Sequence, residues 1–193
     1  TYDATKKLTG WNLPAYNDSH WEKVRIGNYK FNLVTSEGSP IKKIQEIKPV
    51  RVFTSPKGSL IVDMGQNMVG WVRLKVTGPK GTVITLQHAE VLDKFGEFYT
   101  ENLRAAKCQI IYTLAGTGEE TYEPRFTFMG FRYVKVSGFP GTLTADNITG
   151  IVVHSDMQPT GTFECSNPLI NQLQHNIVWG QKGNFVDVPT DCP

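Results

Sequence analysis

Side chains that could do chemistry are concentrated in one stretch, NFVDVPTDCP, at residues 184–193. Asp187, Thr190, Asp191 and Cys192 lie within six residues of one another, and carboxylates and hydroxyls of this kind accept hydrogen bonds from polar ligands. Loops that follow rigid elements are where binding and catalytic groups concentrate. Terminal residues, however, more often form a solvated, fraying end. On composition alone the solvated end is the commoner case.

A second cluster of charge lies in KFGEFYTENLRAAK, which contains Glu97, Glu101 and Arg104. Glycoside hydrolysis needs two carboxylates, one as general acid and one as base or nucleophile, and two Glu residues at this spacing would be near neighbours on a helix. Gly96 and the neighbouring aromatic residues indicate a loop instead. We therefore expect these side chains to belong to a solvated loop between strands.

The stretch DMGQNMVGW could bind a sugar, with Asp63, Gln66 and Asn67 hydrogen-bonding to hydroxyls and Trp71 offering a stacking face. The alternative is that Asp63 and Asn67 only satisfy backbone groups of a turn, which is the commoner role of such residues. Neither possibility identifies an enzyme by itself.

Several classes of function are disfavoured by the rest of the sequence. Cys108, Cys165 and Cys192 are widely spaced and form no metal-binding pair with each other or with a histidine, so no metal or other cofactor is predicted. The chain has neither a phosphate-binding glycine motif nor a G-x-S-x-G elbow. With a formal net charge of +2, scattered basic residues and no long apolar run, the chain is not predicted to bind nucleic acid or span a membrane.

The elements that would position these residues are mostly strands. Between residues 49 and 156, short runs rich in Val, Ile, Thr and aromatic residues alternate with Gly and Pro turns, which predicts an antiparallel sandwich or jelly roll. In WVRLKV, Val72, Leu74 and Val76 share one face. In FRYVKVSG, the same alternation places Phe131 on the face opposite Val134.

One helix is predicted near the end of the chain, in SNPLINQLQHNIVWGQKGN. Ser166 or Asn167 is the N-cap, Pro168 lies in the first turn, and Gly183-Asn184 marks the end. Its apolar residues recur at helical spacing, which makes an amphipathic stripe. They are Leu169, Ile170, Leu173 and Ile177. A single helix cannot bury such a stripe by itself, so we expect the stripe to be exposed, to fold back on the sheet, or to form a dimer.

Four long blocks carry a resemblance to a known family. They are DMGQNMVGWVRLKVTGPKGTVITLQHAEVLD, YTENLRAAK, TYEPRFTFMGFRYVKVSGFPG and GTFECSNPLINQLQHNIVWGQKGNFVDVPTDCP. In this order and spacing the sequence from about residue 62 to residue 193 resembles bacterial α-L-rhamnosidases of glycoside hydrolase family 78. The leader PAYNDSHWEKV is similar to the end of the sandwich domain that precedes these blocks in that family.

The resemblance implies a modular glycosidase that releases terminal α-L-rhamnose with inversion, and it implies that β-sandwich domains precede an (α/α)6 catalytic barrel. Asp191 matches the Asp that opens the family's rhamnose-site motif, which implies a role in binding a sugar hydroxyl. The general acid and base of the family match no residue here. Rhamnose-containing glycosides are the implied partners, in a bacterial protein of unassigned compartment.

These observations lead to one main expectation about organisation. Residues 1–48 would be the C-terminal remnant of a preceding β-sandwich, residues 49–157 a β-sandwich accessory domain, and residues 158–193 a linker and the first helix of the (α/α)6 barrel. The chain alone would be catalytically inactive. The alternative is a stand-alone carbohydrate-binding module that uses Trp71, Trp21 or Tyr99 as its stacking platform.

Overall fold

The computed structural model describes residues 1–190 and is mostly β, with one α-helix near the end of the described chain. The strands are β1 Tyr2–Asp3, β2 Ile41–Ile47, β3 Arg51–Thr54, β4 Leu60–Thr77, β5 Val83–Ala89, β6 Gln109–Thr113, β7 Glu119–Tyr122, β8 Met129–Ser137, β9 Ile148–Ser155, β10 Phe185–Val186 and β11 Val188–Pro189. The helix, α1, spans Pro168–Asn184. Among the described residues, no helix has both the length and the apolar character needed to cross a membrane.

Nine strands form one curled sheet in the order β1-β6-β5-β8-β4-β9-β2, and β3 and β7 pair with β4 outside this path. All pairs are antiparallel except β1 with β6, which makes the sheet mixed. The 18-residue strand β4 holds the sheet together. Its first residues pair with β3 and β8, and its later residues pair with β9 and β7. The strands that were predicted to form a sandwich therefore belong to one sheet, which is continuous through β4.

The core lies between the inner faces of this curled sheet. Val72, Leu74 and Val76 of β4 are buried together, as the alternating sequence predicts. The prediction for β8 was wrong, because Phe131 and Val134 are both fully buried. The pairing of β4 with β8 shifts register at this point, so the alternation between the two faces changes phase.

Gly70 lets β4 and β9 approach closely in the middle of the sheet. Its φ of +150° lies in the region that side chains rarely adopt, and a Cβ here would overlap the carbonyl oxygen of Ile151. The residue type is therefore set by the pairing of these two strands.

Helix α1 begins and ends where the sequence predicts. Asn167 is the N-cap and accepts a hydrogen bond from the backbone of Leu169, Pro168 occupies the first turn, and the helix ends at Asn184. The helix contacts β4, β9 and β10, and Trp179 packs against the core. Its apolar stripe lies on the opposite side and is exposed, which was one of the three expected outcomes. The exposed fractions are Leu169 78%, Ile170 45%, Leu173 56% and Ile177 55%.

Candidate functional site

The predicted substrate-binding residue, Asp191, lies outside the described residues. The segment that leads to it is a small hairpin of β10 and β11, with Asp187 at the turn. The backbone N–H of Asp187 donates to Ser155 Oγ at 2.9 Å, which ties the hairpin to the end of β9. Thr190 donates its N–H and its hydroxyl to Asn184 at the end of α1. The chain is therefore held in place up to Thr190.

Asp187 itself serves the turn. Its φ is +75°, a left-handed conformation that Asp tolerates better than most residues. Its backbone is hydrogen-bonded, while its side chain makes no hydrogen bond within the described residues. Asp187 therefore contributes its backbone conformation to the hairpin turn.

Asp63 is a structural carboxylate. It is 4% exposed and accepts two hydrogen bonds from Arg132, at 2.8 and 3.1 Å, and one from the N–H of Gly65 at 2.8 Å. Burial acts to raise the pKa of Asp63, but the bonds from Arg132 and Gly65 outweigh it and hold the pKa below its usual value. With its lone pairs engaged inside the protein, Asp63 is not available to a sugar.

Trp71 belongs to a different part of the surface from Asp63. Its indole N–H donates to Glu123 Oε2 at 2.9 Å, and its ring lines a shallow apolar depression with Phe126 and Phe128. The ammonium of Lys43 lies 5.6 Å from the Trp71 ring centroid. The predicted combination of Asp63 with Trp71 is therefore not formed.

Glu123 is the centre of an ionic cluster that sequence reasoning missed. It accepts hydrogen bonds from Lys43 at 2.6 Å, Trp71 at 2.9 Å and Arg73 at 2.6 Å. Burial acts to raise the pKa of Glu123, but these three donors together lower it to about 2. The donors come from β2 and β4, far from residue 123 in sequence, so no local pattern reveals the cluster.

The carboxylate pair considered for hydrolysis is also absent. Glu97 was expected in a solvated loop, but it is 7% exposed and accepts from Ser55 Oγ at 2.7 Å and the Lys57 N–H at 2.6 Å. Glu101 is exposed, in a short 3-10 turn. Glu97 lies in a loop between strands, as expected, but the expectation that its side chain is solvated was wrong, because the carboxylate anchors the loop to the neighbouring β3–β4 turn.

Glu120 is a fourth structural carboxylate. It accepts from the Tyr112 hydroxyl at 2.8 Å and from the N–H groups of Ala115 and Gly116 at 3.0 and 2.8 Å. Within residues 1–190, Asp63, Glu97, Glu120 and Glu123 all stabilise the fold through such bonds. A pair of unengaged carboxylates across a cleft, which hydrolysis requires, is not found among these buried or half-buried groups.

Gln66 and Asn67 line a depression together with residues of α1, and Trp71 is not part of this lining. Gln66 Oε1 lies 3.3 Å from His175 Nε2, and Asn67 Nδ2 donates to Glu90 Oε1 at 3.2 Å. The depression has a volume of about 440 Å³ and a mainly polar lining. The lining residues are Gly65, Gln66, Asn67, Glu90, Val91, Arg132, Gln172 and Asn176.

The remaining stacking candidates, Trp21 and Tyr99, do not join Trp71. Trp21 packs against Tyr16, with ring centroids 5.6 Å apart. Tyr99 is half-buried in the loop before the 3-10 turn at residues 101–103. A shared aromatic platform is therefore not formed by these three described side chains.

Two family comparisons match consecutive parts of the chain. The bacterial alpha-L-rhamnosidase concanavalin-like domain matches residues 53–154, and the bacterial alpha-L-rhamnosidase 6 hairpin glycosidase domain matches residues 158–193. An alpha-L-rhamnosidase of Streptomyces avermitilis is 49% identical over 196 residues, which cover 100% of this chain and 19% of that protein. The chain thus spans about a fifth of the length of this curated relative.

Solved structures give the same result. The Streptomyces avermitilis alpha-L-rhamnosidase complexed with L-rhamnose superposes with a TM-score of 0.93 at 47% identity, over 98% of this chain and 19% of that one. The native enzyme from Aspergillus terreus also gives a TM-score of 0.93, at 45% identity over 100% of this chain and 22% of that one. The sheet and α1 therefore have the arrangement found in these proteins.

Proposed function

Because the chain belongs to the bacterial α-L-rhamnosidase family, we propose that it is the accessory sheet and the opening of the glycosidase domain of an enzyme that hydrolyses α-L-rhamnosides. The observation that carries this proposal is the order of two matches, a rhamnosidase concanavalin-like domain at residues 53–154 followed, after three intervening residues, by a rhamnosidase glycosidase domain at residues 158–193. The proposed reaction is release of terminal α-L-rhamnose with inversion at the anomeric carbon.

The proposal includes a division of labour along the chain. Residues 1–48 are the end of a preceding sandwich, residues 49–157 the accessory domain, and residues 158–193 the start of the (α/α)6 barrel. Residues 1–48 contribute two strands to the sheet, since β1 pairs with β6 and β2 pairs with β9. This pairing supports a direct connection between residues 1–48 and the accessory domain.

The accessory domain acts by holding the start of the catalytic domain in place. Trp179 packs α1 against the core, and the Asp187–Ser155 hydrogen bond joins the β10–β11 hairpin to β9. Trp179 and Asp187 both precede Asp191 in the sequence. The proposed role of Asp191 is to accept hydrogen bonds from rhamnose hydroxyls. A carboxylate suits that role because it can accept from two neighbouring hydroxyls at once.

The chain by itself is proposed to be inactive. Inverting hydrolysis needs a general acid and a general base about 6.5–9.5 Å apart with room for water, and the buried carboxylates of residues 1–190 are engaged in the structural bonds described above. The purified chain should release no p-nitrophenol from p-nitrophenyl α-L-rhamnoside. Release that survives a second purification and disappears on unfolding would contradict this part of the proposal.

The substrate class is tested by transplantation. Residues 1–193 replace the aligned segment of the Streptomyces avermitilis relative, and the chimera is assayed with p-nitrophenyl α-L-rhamnoside and with the α-D-glucoside as the control. Hydrolysis of the rhamnoside alone is the expected outcome. A folded chimera that hydrolyses neither substrate would show that this segment does not support rhamnosidase activity.

A dimer through α1 is the proposed behaviour of the isolated chain, since its apolar stripe is exposed. In the whole enzyme the same stripe would pack against further helices of the barrel. Light scattering should report a dimer for the isolated chain and a monomer for the Leu173→Glu, Ile177→Glu double variant. A monomer in both cases would refute the dimer.

A further inference from the structure

We propose that the polar depression between β4 and α1 is a binding site for a neutral sugar residue. The depression is formed by three parts of the chain that lie far apart in sequence. Gln66 and Asn67 come from the irregular middle of β4, Glu90 directly follows β5, and Gln172 and Asn176 come from consecutive turns of α1. Arg132 of β8 also lines the depression, and its guanidinium is hydrogen-bonded to Asp63.

Hydrogen-bonding capacity is left over in this lining. Within the described residues, the carboxamide oxygen of Asn67, one carboxylate oxygen of Glu90, the amide nitrogen of Asn176 and the Nη1 of Arg132 form no hydrogen bond. The set contains both donors and acceptors, and each group is planar and has another of its atoms hydrogen-bonded within the protein. Sugar hydroxyls, which donate and accept at once, match such a mixed lining.

Charge favours a neutral ligand over an ionic one. Arg132 is already paired with Asp63, so its charge is largely compensated within the protein. Glu90 adds a carboxylate to the lining, which opposes the binding of phosphate or another anion. A single carboxylate beside a guanidinium is also a poor site for a metal ion, which prefers several oxygen ligands. Among the described residues, no group of three or more His, Cys, Asp or Glu could hold one.

Size and shape are also suitable. The volume of about 440 Å³ falls within the roughly 300–1,000 Å³ of small-molecule sites. The lining has no aromatic ring for the sugar to stack on, since Trp71 lies in another depression. Binding should therefore be weak and should depend on the amide side chains. That the sugar forms part of a rhamnoside rests on the proposed function, whereas its recognition through hydroxyls rests on the lining alone.

The test is a titration of the ¹⁵N-labelled 193-residue chain with methyl α-L-rhamnopyranoside up to tens of millimolar, a range that detects weak binding. The side-chain amide resonances of Gln66, Asn67, Gln172 and Asn176 should shift and saturate together. The Gln172→Ala, Asn176→Ala double variant should bind about tenfold more weakly, because two hydrogen-bonding groups are lost. Both positions are exposed on the helix and alanine favours helix, so the fold is expected to persist.

Gln181→Ala is the matched control, since Gln181 is an exposed amide of α1 outside the depression, and it should bind as the parent does. Absence of saturable shifts at the four amides would overturn the proposal, as would equal affinity in the double variant. Equal shifts with sodium sulfate would show an anion site at Arg132 and would also overturn it. If the titration shows no binding but the chimera is active, only this sugar site is refuted. If the chimera is folded but inactive, the proposed function is refuted.

Discussion

Burial of His88 makes the stability of the fold depend on pH in a predictable way. The imidazole is fully buried, its Nδ1 lies 3.1 Å from the carbonyl oxygen of Cys108, and its ring packs edge-on against Phe131 at 4.7 Å. Its Nε2 is buried without a partner within the described residues. Burial lowers the pKa of His88 from 6.5 to about 4, because the charged ring would lose its hydration, and this outweighs the hydrogen bond to Cys108, which acts to raise the pKa.

The sign and size of the effect follow from this pKa. At pH 7.5 the ring is neutral in the folded and the unfolded chain. As the pH falls below 6.5, the unfolded chain takes up the proton first, so the free energy of unfolding decreases until the folded pKa of about 4 is reached. At about 1.4 kcal/mol for each pH unit, the loss between pH 7.5 and pH 4 is about 3 kcal/mol.

The assay is urea unfolding of the parent chain and of His88→Leu at both pH values. The variant loses a hydrogen bond at every pH, but the difference in unfolding free energy between the two proteins should shift by about 3 kcal/mol in favour of the variant at pH 4. His20→Leu, which removes an exposed imidazole, is the control and should run parallel to the parent. A difference between parent and His88→Leu that is the same at pH 7.5 and pH 4 would refute the reasoning.

Three further substitutions test the fold. Gly70→Ala should lower the free energy of unfolding by more than about 3 kcal/mol in urea, because its Cβ overlaps the Ile151 carbonyl; a loss below about 1 kcal/mol would show that the strands can separate freely. Arg132→Gln should lower the free energy of unfolding by about 2 kcal/mol at pH 7, because it leaves Asp63 buried and unpaired. This loss should shrink at low pH as Asp63 becomes protonated, and a loss that does not change with pH would argue against this. Phe126→Gly should raise stability by about 0.5 kcal/mol, because the fully exposed Phe126 has a φ of +60°, and thermal melts that show a loss would contradict the strain argument.

The sequence predicts most of the local structure correctly because local structure depends on neighbouring residues. Val72, Leu74 and Val76 alternate along an uninterrupted part of β4, so their shared burial follows from the strand period. Asn167 and Pro168 are recognisable as a helix start from their own backbone preferences. The two-residue alternation gave a wrong prediction at Phe131, because the register shift between β4 and β8 depends on both strands and cannot be seen in the sequence of either strand alone.

Long-range placement could not be predicted from patterns within one segment. The bonds that Lys43 and Arg73 donate to Glu123 join residues 80 and 50 positions apart. The amphipathic pattern of α1 indicates a stripe, yet the helix turns its other face towards the sheet, and Trp179 makes that contact. For the site, the amide side chains of Gln66 and Asn67 indicated polar binding groups, but the residues of α1 that lie beside them can be identified only in the folded chain.

The account depends most directly on whether this segment supports rhamnosidase chemistry, and the chimera with the Streptomyces avermitilis relative measures that. We expect kcat/KM for p-nitrophenyl α-L-rhamnoside within about tenfold of the relative's own value, with Asp191→Ala in the chimera losing roughly 10- to 100-fold as a hydrogen bond from sugar to carboxylate is removed. A chimera that is folded by circular dichroism but has no measurable kcat/KM would contradict the central claim. Full activity in the Asp191→Ala chimera would contradict the sugar-binding role of that residue.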